Sequence, residues 1–454
     1  MSVAVANLDA AVLSRVVEAE AQRDPGRLLL VFEDGGPAVE RVTAGQLAVR
    51  GAGLAGLLHH AGLRRGDRVA VMTGNHPEFV YALVANARLA LPTVPIDPDT
   101  RGDRLAHCLR FAGCAALVAA DTVVADERVA ATIRAGGLRT WVASTPEGRA
   151  LGLDPARDWP LVDEAVEVPG APAVAEQVTD LAEPWLLVYG AGAEPDAVEI
   201  AHERLLLYRR LPELLGYRST DVPYTGLSLT RGNALITTVL PAIWGVVAHT
   251  VISRRVSPAR LWDVCIAHGV TTWTNLGELA TAVYSEPSSP RDRGHSVRLV
   301  VSAGMPREIW HPFEERFGVK VLEWYGSMEG GFACNPVGVG PVGSFGKPPD
   351  GLLEMEVVDG DGRPVAAGQV GELVLRPVGG RARLRYWRNP AAAARRLRDG
   401  WLRTGDMVAR DAEGWLYLAH PPDPDGLRRV ADPIGEVPPG DDAEQPDVHV
   451  YGIP

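Results

Sequence analysis

Short apolar runs alternate with segments of helical periodicity through most of the chain. Residues 44–63 place Leu and Ala at helical spacing after Thr43, and residues 66–75 form an apolar run that closes at Gly74. Strands that alternate with helices of this length predict βαβ units and a parallel sheet. The elements predicted in this part are helices at 8–24, 44–63, 77–91 and 101–113, and strands at 66–75, 93–98 and 115–121.

The same alternation returns after a polar, Pro-rich interval at 144–184 and continues to residue 336. From residue 337 the pattern changes to short strands and Gly-rich turns, which predicts a small β unit. The tail is rich in Pro, Asp and Gly, and we expect it to be mostly irregular. The expected parts are an N-terminal α/β subdomain at 1–180, a second α/β subdomain at 181–336, a small β subdomain at 337–420 and an irregular tail at 421–454.

Charge and composition narrow the function class. Lys and Arg number 45 against 57 Asp and Glu, a net charge of −12, which argues against nucleic acid or an anionic membrane surface as a general partner. No apolar run approaches the roughly 18 residues of a membrane span. The start of the chain lacks the pattern of a signal peptide, and the four cysteines have no CxxC spacing, so we expect a cytoplasmic protein with reduced thiols.

The stretch VLEWYGSMEGG at 321–331 contains the first candidate site. An apolar strand breaks at Gly326 into a turn that displays Glu329. Ligands of α/β proteins bind at the carboxyl ends of strands, where Glu329 could hold a divalent metal and Tyr325 could stack on a flat ring. The same residues also fit an ordinary glycine turn with a solvated glutamate.

A second glycine-containing turn follows the apolar run WLLVY at 185–189. Gly190 and Gly192 could let backbone N–H groups approach a phosphate. The turn carries Glu194 and Asp196 instead of Ser, Thr or Lys, and carboxylates repel phosphate. The residues alone therefore favour a tight structural turn.

Several segments together resemble the adenylate-forming superfamily of acyl-CoA synthetases, peptide-synthetase adenylation domains and luciferases. Within it the chain is most similar to very-long-chain acyl-CoA synthetases, also called fatty-acid transport proteins. The resemblance runs from about residue 25 to 420 and depends on the order and spacing of its motifs. These are GDRVAVMTGNHPEFV, RGDRLAHCLRFAGCAALV, SPARLWDVCIAHGVTTWTNLGEL, VRLVVSAGMPREIW, EWYGSMEGG and WLRTGDMVARDAEGWLYL.

The resemblance implies an α/β fold, namely the large N-terminal domain of an adenylate-forming enzyme. That domain has two doubly wound α/β subdomains and a small β-barrel-like subdomain. The C-terminal domain is expected to be largely absent here, with residues 421–454 as its mostly irregular remnant. The family reaction has two steps: a carboxylate attacks the α-phosphate of ATP, and a thiol then takes the acyl group from the adenylate. ATP or AMP, Mg²⁺ and CoA are the implied cofactors.

The resemblance assigns roles to the nucleotide-site residues. Tyr325 and Gly326 match the motif whose tyrosine packs on adenine, and Gly304 lies in the segment that lines the adenine pocket. Asp406 matches the aspartate that holds the ribose hydroxyls. Glu329 matches the magnesium-binding glutamate and is a candidate catalytic residue. Gly190 and Gly192 fall in the phosphate loop of the family.

A second group of positions is assigned to substrate and catalysis. The segment LSLTRGN replaces a family segment that carries a histidine near the substrate, so Thr230 or Arg231 takes that place, and Arg231 is a candidate phosphate-binding catalytic residue. Asn233, Glu278 and Met328 are expected near the substrate. His202 matches a family position that we expect to orient its neighbours and not to act as a base. A carboxylic acid is the expected substrate, and a carrier protein or partner synthetase is a possible partner.

The chain departs from the family at the phosphates. Its phosphate loop is two residues shorter, Asp196 stands at the lysine position, and Met328 replaces a threonine that contacts the α-phosphate. The arginine expected after the last hairpin is replaced by the region of His420 and Pro421, and no lysine follows Lys347. Three interpretations stay open: a divergent ligase that is weak or depends on a partner, a non-catalytic ligand-binding or scaffold relative, and a pocket with different chemistry.

Overall fold

The structure is a computed structural model that describes residues 8–36, 39–162, 175–190 and 195–419. Gly192 and Glu194 of the expected phosphate loop lie outside these ranges. So do His420, Pro421 and the expected remnant of a C-terminal domain at 421–454.

Three sheets contain the strands of the described chain. The strands are β1 Leu28–Glu33, β2 Glu40–Thr43, β3 Arg68–Met72, β4 Thr93–Pro95, β5 Cys114–Ala120, β6 Arg139–Ala143, β7 Pro184–Tyr189, β8 Ala197–Ala201, β9 Pro223–Thr225, β10 Thr250–Ser253, β11 Thr272–Leu276, β12 Leu299–Ala303, β13 Lys320–Tyr325, β14 Ala333–Cys334, β15 Leu353–Val358, β16 Val370–Pro377, β17 Leu397–Arg398, β18 Trp401–Arg410 and β19 Leu416–Leu418.

Helices connect and cover these sheets. The α-helices are α1 Leu13–Arg23, α2 Ala44–His60, α3 Pro77–Arg88, α4 Gly102–Ala112, α5 Asp121–Val124, α6 Glu127–Ala135, α7 Pro146–Ala150, α8 Arg204–Tyr208, α9 Leu211–Leu214, α10 Gly232–Ala234, α11 Leu240–Ile243, α12 Leu261–His268, α13 Gly277–Ser285, α14 Arg307–Phe317 and α15 Pro390–Arg396. Short 3₁₀ turns occupy Pro155–Arg157, Pro258–Arg260 and Pro290–Arg293, and a π-helical turn at Leu235–Val239 joins α10 to α11.

Local sequence signals explain several of these boundaries. Helix α2 begins with a capping box, in which Thr43 Oγ1 accepts from the Gln46 N–H and the Gln46 side chain accepts from the Thr43 N–H. Helix α4 ends at Gly113, whose φ of +64° is the left-handed conformation that glycine adopts without strain. No helix of the described chain is long and apolar enough to cross a membrane.

The two large sheets are mostly parallel, as the alternating pattern predicts. The six-stranded sheet has the order β6-β5-β3-β4-β7-β8, and the eight-stranded sheet has the order β14-β13-β12-β11-β9-β10-β1-β2. Most of these strands read as continuous apolar runs because helices cover both faces. The expected α/β fold with two doubly wound subdomains is therefore confirmed.

The sheets do not follow the boundary expected at residue 180. Strands β1 and β2 pair with β10 of the eight-stranded sheet, and β7 and β8 complete the six-stranded sheet beside β4. Apolar periodicity identifies a strand but not its neighbour, since a parallel neighbour is reached through a long crossover connection.

The small β subdomain is an antiparallel sheet in which β15, β16, β18 and β17 lie in that order and β19 pairs with β18. The segment between β16 and α15 returns to the six-stranded sheet, where Tyr386 forms a bridge with Val198 and the Trp387 N–H donates to the Ala197 carbonyl at 2.8 Å. This contact places α15 and its N-cap residue Asn389 beside the turn between β7 and β8.

Candidate functional site

The candidate site lies where three neighbouring parallel strands end. Strands β11, β12 and β13 are adjacent, and their carboxyl ends lead to Gly277, Gly304 and Gly326. A Cβ atom on Gly277 would lie 1.8 Å from the Gly304 carbonyl oxygen, so only glycine allows the two connections to approach this closely. The carboxyl edge of a parallel sheet is the usual ligand-binding edge of an α/β protein.

The turn after β13 holds Glu329 at this edge. The Ser327 hydroxyl donates to the Gly330 carbonyl at 2.9 Å and accepts from the Gly330 N–H at 3.3 Å. Arg204 on α8 donates to the Glu329 carbonyl oxygen at 3.2 Å. These bonds fix the backbone on both sides of Glu329 and leave its half-buried carboxylate to the site.

Tyr325 and Asp406 form a direct contact between the eight-stranded sheet and the small β subdomain. The Tyr325 hydroxyl donates to Asp406 Oδ2 at 2.5 Å, and the tyrosine ring packs against Phe345 with centroids 4.9 Å apart. Burial raises the pKa of Asp406, and burial together with the Asp406 charge raises the pKa of Tyr325. Tyr325 is therefore a neutral donor, and Asp406 keeps a second oxygen for a ligand hydroxyl.

Glu323 is a site residue that the sequence analysis did not identify. Its carboxyl group, 4% exposed, accepts from the Met305 N–H at 3.1 Å and also from the Gly304 N–H. Burial raises the pKa of Glu323 to about 8, although hydrogen bonds from Gly304, Met305 and Ser302 oppose the shift. Glu323 thus fixes the connection expected to line an adenine pocket. The sequence signal that could have identified Glu323 is an acidic residue within an otherwise apolar strand.

Glu329 has a second partner that the sequence did not suggest. The Tyr386 hydroxyl donates to Glu329 Oε1 at 3.0 Å, and burial followed by the nearby Glu329 charge raises the pKa of Tyr386. No group of three or more His, Cys, Asp or Glu side chains suited to a metal occurs in the described ranges. Mg²⁺ commonly takes one or two carboxylates from a protein when phosphates supply further ligands. Glu329 therefore fits Mg²⁺ only together with a bound polyphosphate.

The turn between β7 and β8 presents the carboxylate of Asp196, at the position that the sequence resemblance assigns to a lysine. The Gly190 N–H donates to the Asp196 carbonyl at 3.2 Å, and Arg104 donates to the Gly190 carbonyl at 3.1 Å. The side chain of Asp196 accepts from Asn389 Nδ2 at 2.8 Å. Because Asn389 also caps α15, this carboxylate is fixed against the small β subdomain.

Lysines are absent from the described site. Lys320 begins β13 at the end opposite Gly326, about 20 Å away for six extended residues. Lys347 donates to the Glu413 carbonyl at 2.6 Å and lies over the ring of Trp415 at 4.3 Å. The cations around the site are therefore arginines: Arg204 donates to the Glu329 carbonyl, Arg104 donates to the Gly190 carbonyl, and Arg231 lies on the cavity behind the turn.

A small apolar cavity of about 50 Å³ lies behind the turn that carries Glu329. Arg231, Asn233 and Met328 line it, and Arg231 is exposed. Met328 is 5% exposed and packs on Gly232, where an added Cβ would lie 2.4 Å from its sulfur. The structure thus brings Arg231, Asn233 and Met328 together.

Three other candidates have different surroundings. Glu278 is exposed in the first turn of α13, whereas Leu276, two residues earlier, lines the cavity. Thr230 is buried, its hydroxyl contacts Ser228 at 2.8 Å, and it lies 3.5 Å from Asp97. His202 is buried at the end of β8 opposite Asp196, and burial lowers its pKa to about 4, so its imidazole is neutral at pH 7.

Comparisons with known proteins agree with this geometry. Residues 17–380 match the family described as AMP-binding enzyme. Human long-chain fatty acid transport protein 5 is 30% identical over 446 residues, which cover 88% of this chain and 62% of that protein. The medium/long-chain-fatty-acid–CoA ligase FadD6 of Mycobacterium tuberculosis is 28% identical over 88% of this chain and 67% of that protein.

Among solved structures, the N-terminal domain of FACL13 from Mycobacterium tuberculosis superposes with a TM-score of 0.74 and 21% identity. The superposition covers 90% of this chain and 99% of that domain, and at this identity it establishes the fold alone. The chain spans about three fifths of the length of the human transport protein that it matches.

Proposed function

The chain belongs to the family of AMP-binding enzymes, and from this premise we propose that it is a divergent, acyl-CoA-ligase-like protein that activates a carboxylic acid. In this proposal it holds the adenosine part of ATP or of an acyl adenylate well and the phosphates poorly. The hydrogen bond between Tyr325 and Asp406 is the observation that carries the proposal. It joins the two residues assigned to adenine and ribose, which come from different subdomains.

The surroundings of that bond support an adenosine-binding role. Gly304 and Met305 are held by Glu323 on the same strand as Tyr325, so the expected adenine wall is fixed before a ligand arrives. Preorganised donors and acceptors of this kind lower the cost of binding. In the proposal Asp406 accepts from a ribose hydroxyl through the oxygen that Tyr325 does not use.

The residues expected near the phosphates support the proposal that acyl-adenylate formation is slow. Acyl-adenylate formation joins a carboxylate oxygen to the α-phosphorus and releases pyrophosphate, and such a transfer depends on fixed cations and hydrogen-bond donors. Asp196 places a negative charge at the position of a family lysine, and buried Met328 cannot donate a hydrogen bond. In the proposal Glu329 supplies one magnesium ligand, and Arg231, exposed on the cavity behind the turn, is the candidate cation for the phosphates.

A second candidate function is a non-catalytic relative that binds an adenylate or an acyl ligand within a biosynthetic complex. The observation that favours it is the hydrogen bond from Asn389 to Asp196, which holds a carboxylate in place where a productive site needs a cation. CoA as acceptor, a carrier protein or synthetase as partner and a cytoplasmic location are further parts of the proposal. The four free cysteines support that location.

Calorimetry and isotope exchange together test the proposal. We expect adenosine and AMP to bind saturably, and pyrophosphate exchange into ATP to be slow but dependent on an added carboxylic acid. Binding of AMP with no exchange for any acid would select the non-catalytic candidate. Failure of adenosine, AMP and ATP to bind would refute the proposed function.

A further inference from the structure

The cavity behind the Glu329 turn is far smaller than a site for a long acyl chain. Ligand pockets for small molecules usually enclose roughly 300–1,000 Å³, and an engineered apolar cavity of about 150 Å³ holds benzene. The cavity here is about 50 Å³, which is a third of the volume of that benzene-binding cavity. Its walls are mainly apolar, with Leu211, Leu227, Ile236, Leu276 and Phe332 among them.

Strand β13 separates this cavity from the proposed adenosine side. Successive side chains of a strand point to opposite faces, so Trp324 faces away from Glu323 and Tyr325. Trp324 lines the cavity, and its ring packs against Phe332 with centroids 5.9 Å apart. Gly326 and Ser327 also line the cavity, so the acyl group of an adenylate bound at the carboxyl end of β13 would extend into it.

Rigid elements on the other walls keep the cavity small. The π-helical turn at Leu235–Val239 brings Ile236 to the cavity, and Met328 fills the space against Gly232. π-helical turns are uncommon and often occur at functional sites. Trp324, Met328 and Phe332 are each less than a tenth exposed, so each is held by close packing.

We infer that the acid activated by this chain is a short-chain carboxylic acid, with an apolar part on the order of two to four carbons, given the size of the cavity. Trp324, Phe332 and Met328 determine this specificity by occupying space that a longer chain would need. Arg231 lines the same cavity and is exposed, and its guanidinium has no hydrogen-bond or ion-pair partner within the described ranges, so it is available to a carboxylate. The inference rests on the proposed function, since it concerns the same site.

The test uses the whole chain and a series of acylsulfamoyl adenosines, stable mimics of acyl adenylates, that carry acetyl, butyryl, octanoyl or palmitoyl groups. The unacylated sulfamoyl adenosine is the reference ligand. We expect the acetyl and butyryl compounds to bind at least as tightly as the reference. We expect the octanoyl and palmitoyl compounds to bind about tenfold or more weakly, the factor that about 1.4 kcal/mol supplies.

Variants make the test specific to the cavity. Trp324→Ala and, independently, Phe332→Ala should move the preferred acyl length upward by several carbons. Trp310→Ala is the matched control, because Trp310 is equally buried but packs in the separate cluster that contains Phe313 and Phe317. It should lower Tm and leave the acyl preference unchanged.

The possible outcomes distinguish a failure of this inference from a failure of the proposed function. If the reference compound binds and the octanoyl or palmitoyl compound binds as tightly as the acetyl compound, the short-chain inference is wrong while the proposed function stands. An unchanged preference in both cavity variants would also overturn it. If the reference compound does not bind at all, the proposed function fails, and the inference fails with it.

Discussion

The two sides of the candidate site differ in what their hydrogen bonds leave for a ligand. On the proposed adenosine side, the Tyr325 hydroxyl is satisfied by Asp406 and the Gly304 N–H by Glu323, so the second carboxylate oxygen of Asp406 is what these bonds leave for a ligand. On the phosphate side, Asp196 is fixed by Asn389 and Met328 is buried. In the proposed function, this difference means that one fold keeps the geometry for a nucleoside while its charges oppose the phosphates.

The largest expected effect concerns the pH dependence of the adenosine side. The pKa of Glu323 is about 8 in the folded chain against 4.5 as the ordinary value, so the folded state binds this proton more tightly. The stability that Glu323 contributes is complete below about pH 4.5 and is lost as the pH rises through about 8. At about 1.4 kcal/mol per pKa unit, the free energy of unfolding should fall by about 3 to 5 kcal/mol over this interval.

Urea unfolding of the wild type and of Glu323→Gln at a series of pH values measures this effect. The Gln variant, which cannot ionise, should show a flatter profile. Parallel profiles for the two proteins would contradict the role of Glu323.

Asp406→Ala removes the acceptor shared by Tyr325 and, in the proposal, by the ribose. Hydrogen bonds to charged groups contribute about 1.5–3 kcal/mol, so AMP should bind on the order of 10- to 100-fold more weakly by calorimetry. Asp411→Ala is the matched control, because Asp411 accepts from the Tyr417 hydroxyl at 2.8 Å in the same β subdomain. The control should lower Tm but leave AMP affinity unchanged. Equal losses in both variants would assign the effect to folding alone.

Asp196→Lys should improve the phosphate side selectively. Replacing a like charge by an opposite one near the phosphates is expected to strengthen ATP binding by about 1–2 kcal/mol at surface dielectric, with adenosine affinity unchanged. Asp196→Asn separates loss of the negative charge from gain of a positive one and should give about half the effect. If adenosine and ATP affinities rise together, the carboxylate does not oppose phosphate binding.

Met328→Thr should have the smallest effect. The hydroxyl restores one hydrogen-bond donor, a net gain of about 0.5–1.5 kcal/mol, and the smaller side chain enlarges the cavity beside Gly232. We expect acid-dependent pyrophosphate exchange to rise a few-fold, and Met328→Val serves as the control without a hydroxyl. Equal exchange in the Thr and Val variants would show that space, and not the donor, limits the reaction.

Much of the fold follows from the sequence because the relevant signals are local. The apolar run before Gly326 predicts a strand that ends at a ligand-binding sheet edge, and the structure has β13 ending there beside β12 and β11. The sheet to which β1, β2, β7 and β8 belong could not be predicted, because their hydrogen-bond partners are distant in sequence.

The candidate site was predictable only in part, because its residues give local signals but their contacts depend on tertiary packing. Asp196 was recognised as an acid in a turn, but its bond to Asn389, 193 positions away, depends on tertiary packing. Two further hydrogen bonds join segments that are distant in sequence. Tyr386 donates to Glu329, and the Gly304 N–H donates to Glu323. The roles of Gly190, Gly304, Asn233 and Glu278 toward a ligand remain proposals that the variants and ligands above can test.

The most direct measurement compares the affinities of the wild-type chain for adenosine, AMP and ATP, with and without Mg²⁺, by calorimetry in one buffer. We expect adenosine to bind, and we expect the phosphates and Mg²⁺ to add little to its affinity. All the affinities should therefore fall within about a factor of ten, or about 1.4 kcal/mol. Binding of ATP with Mg²⁺ about a hundredfold or more tighter than adenosine would contradict the account. It would mean that this site holds the phosphates despite Asp196 and Met328.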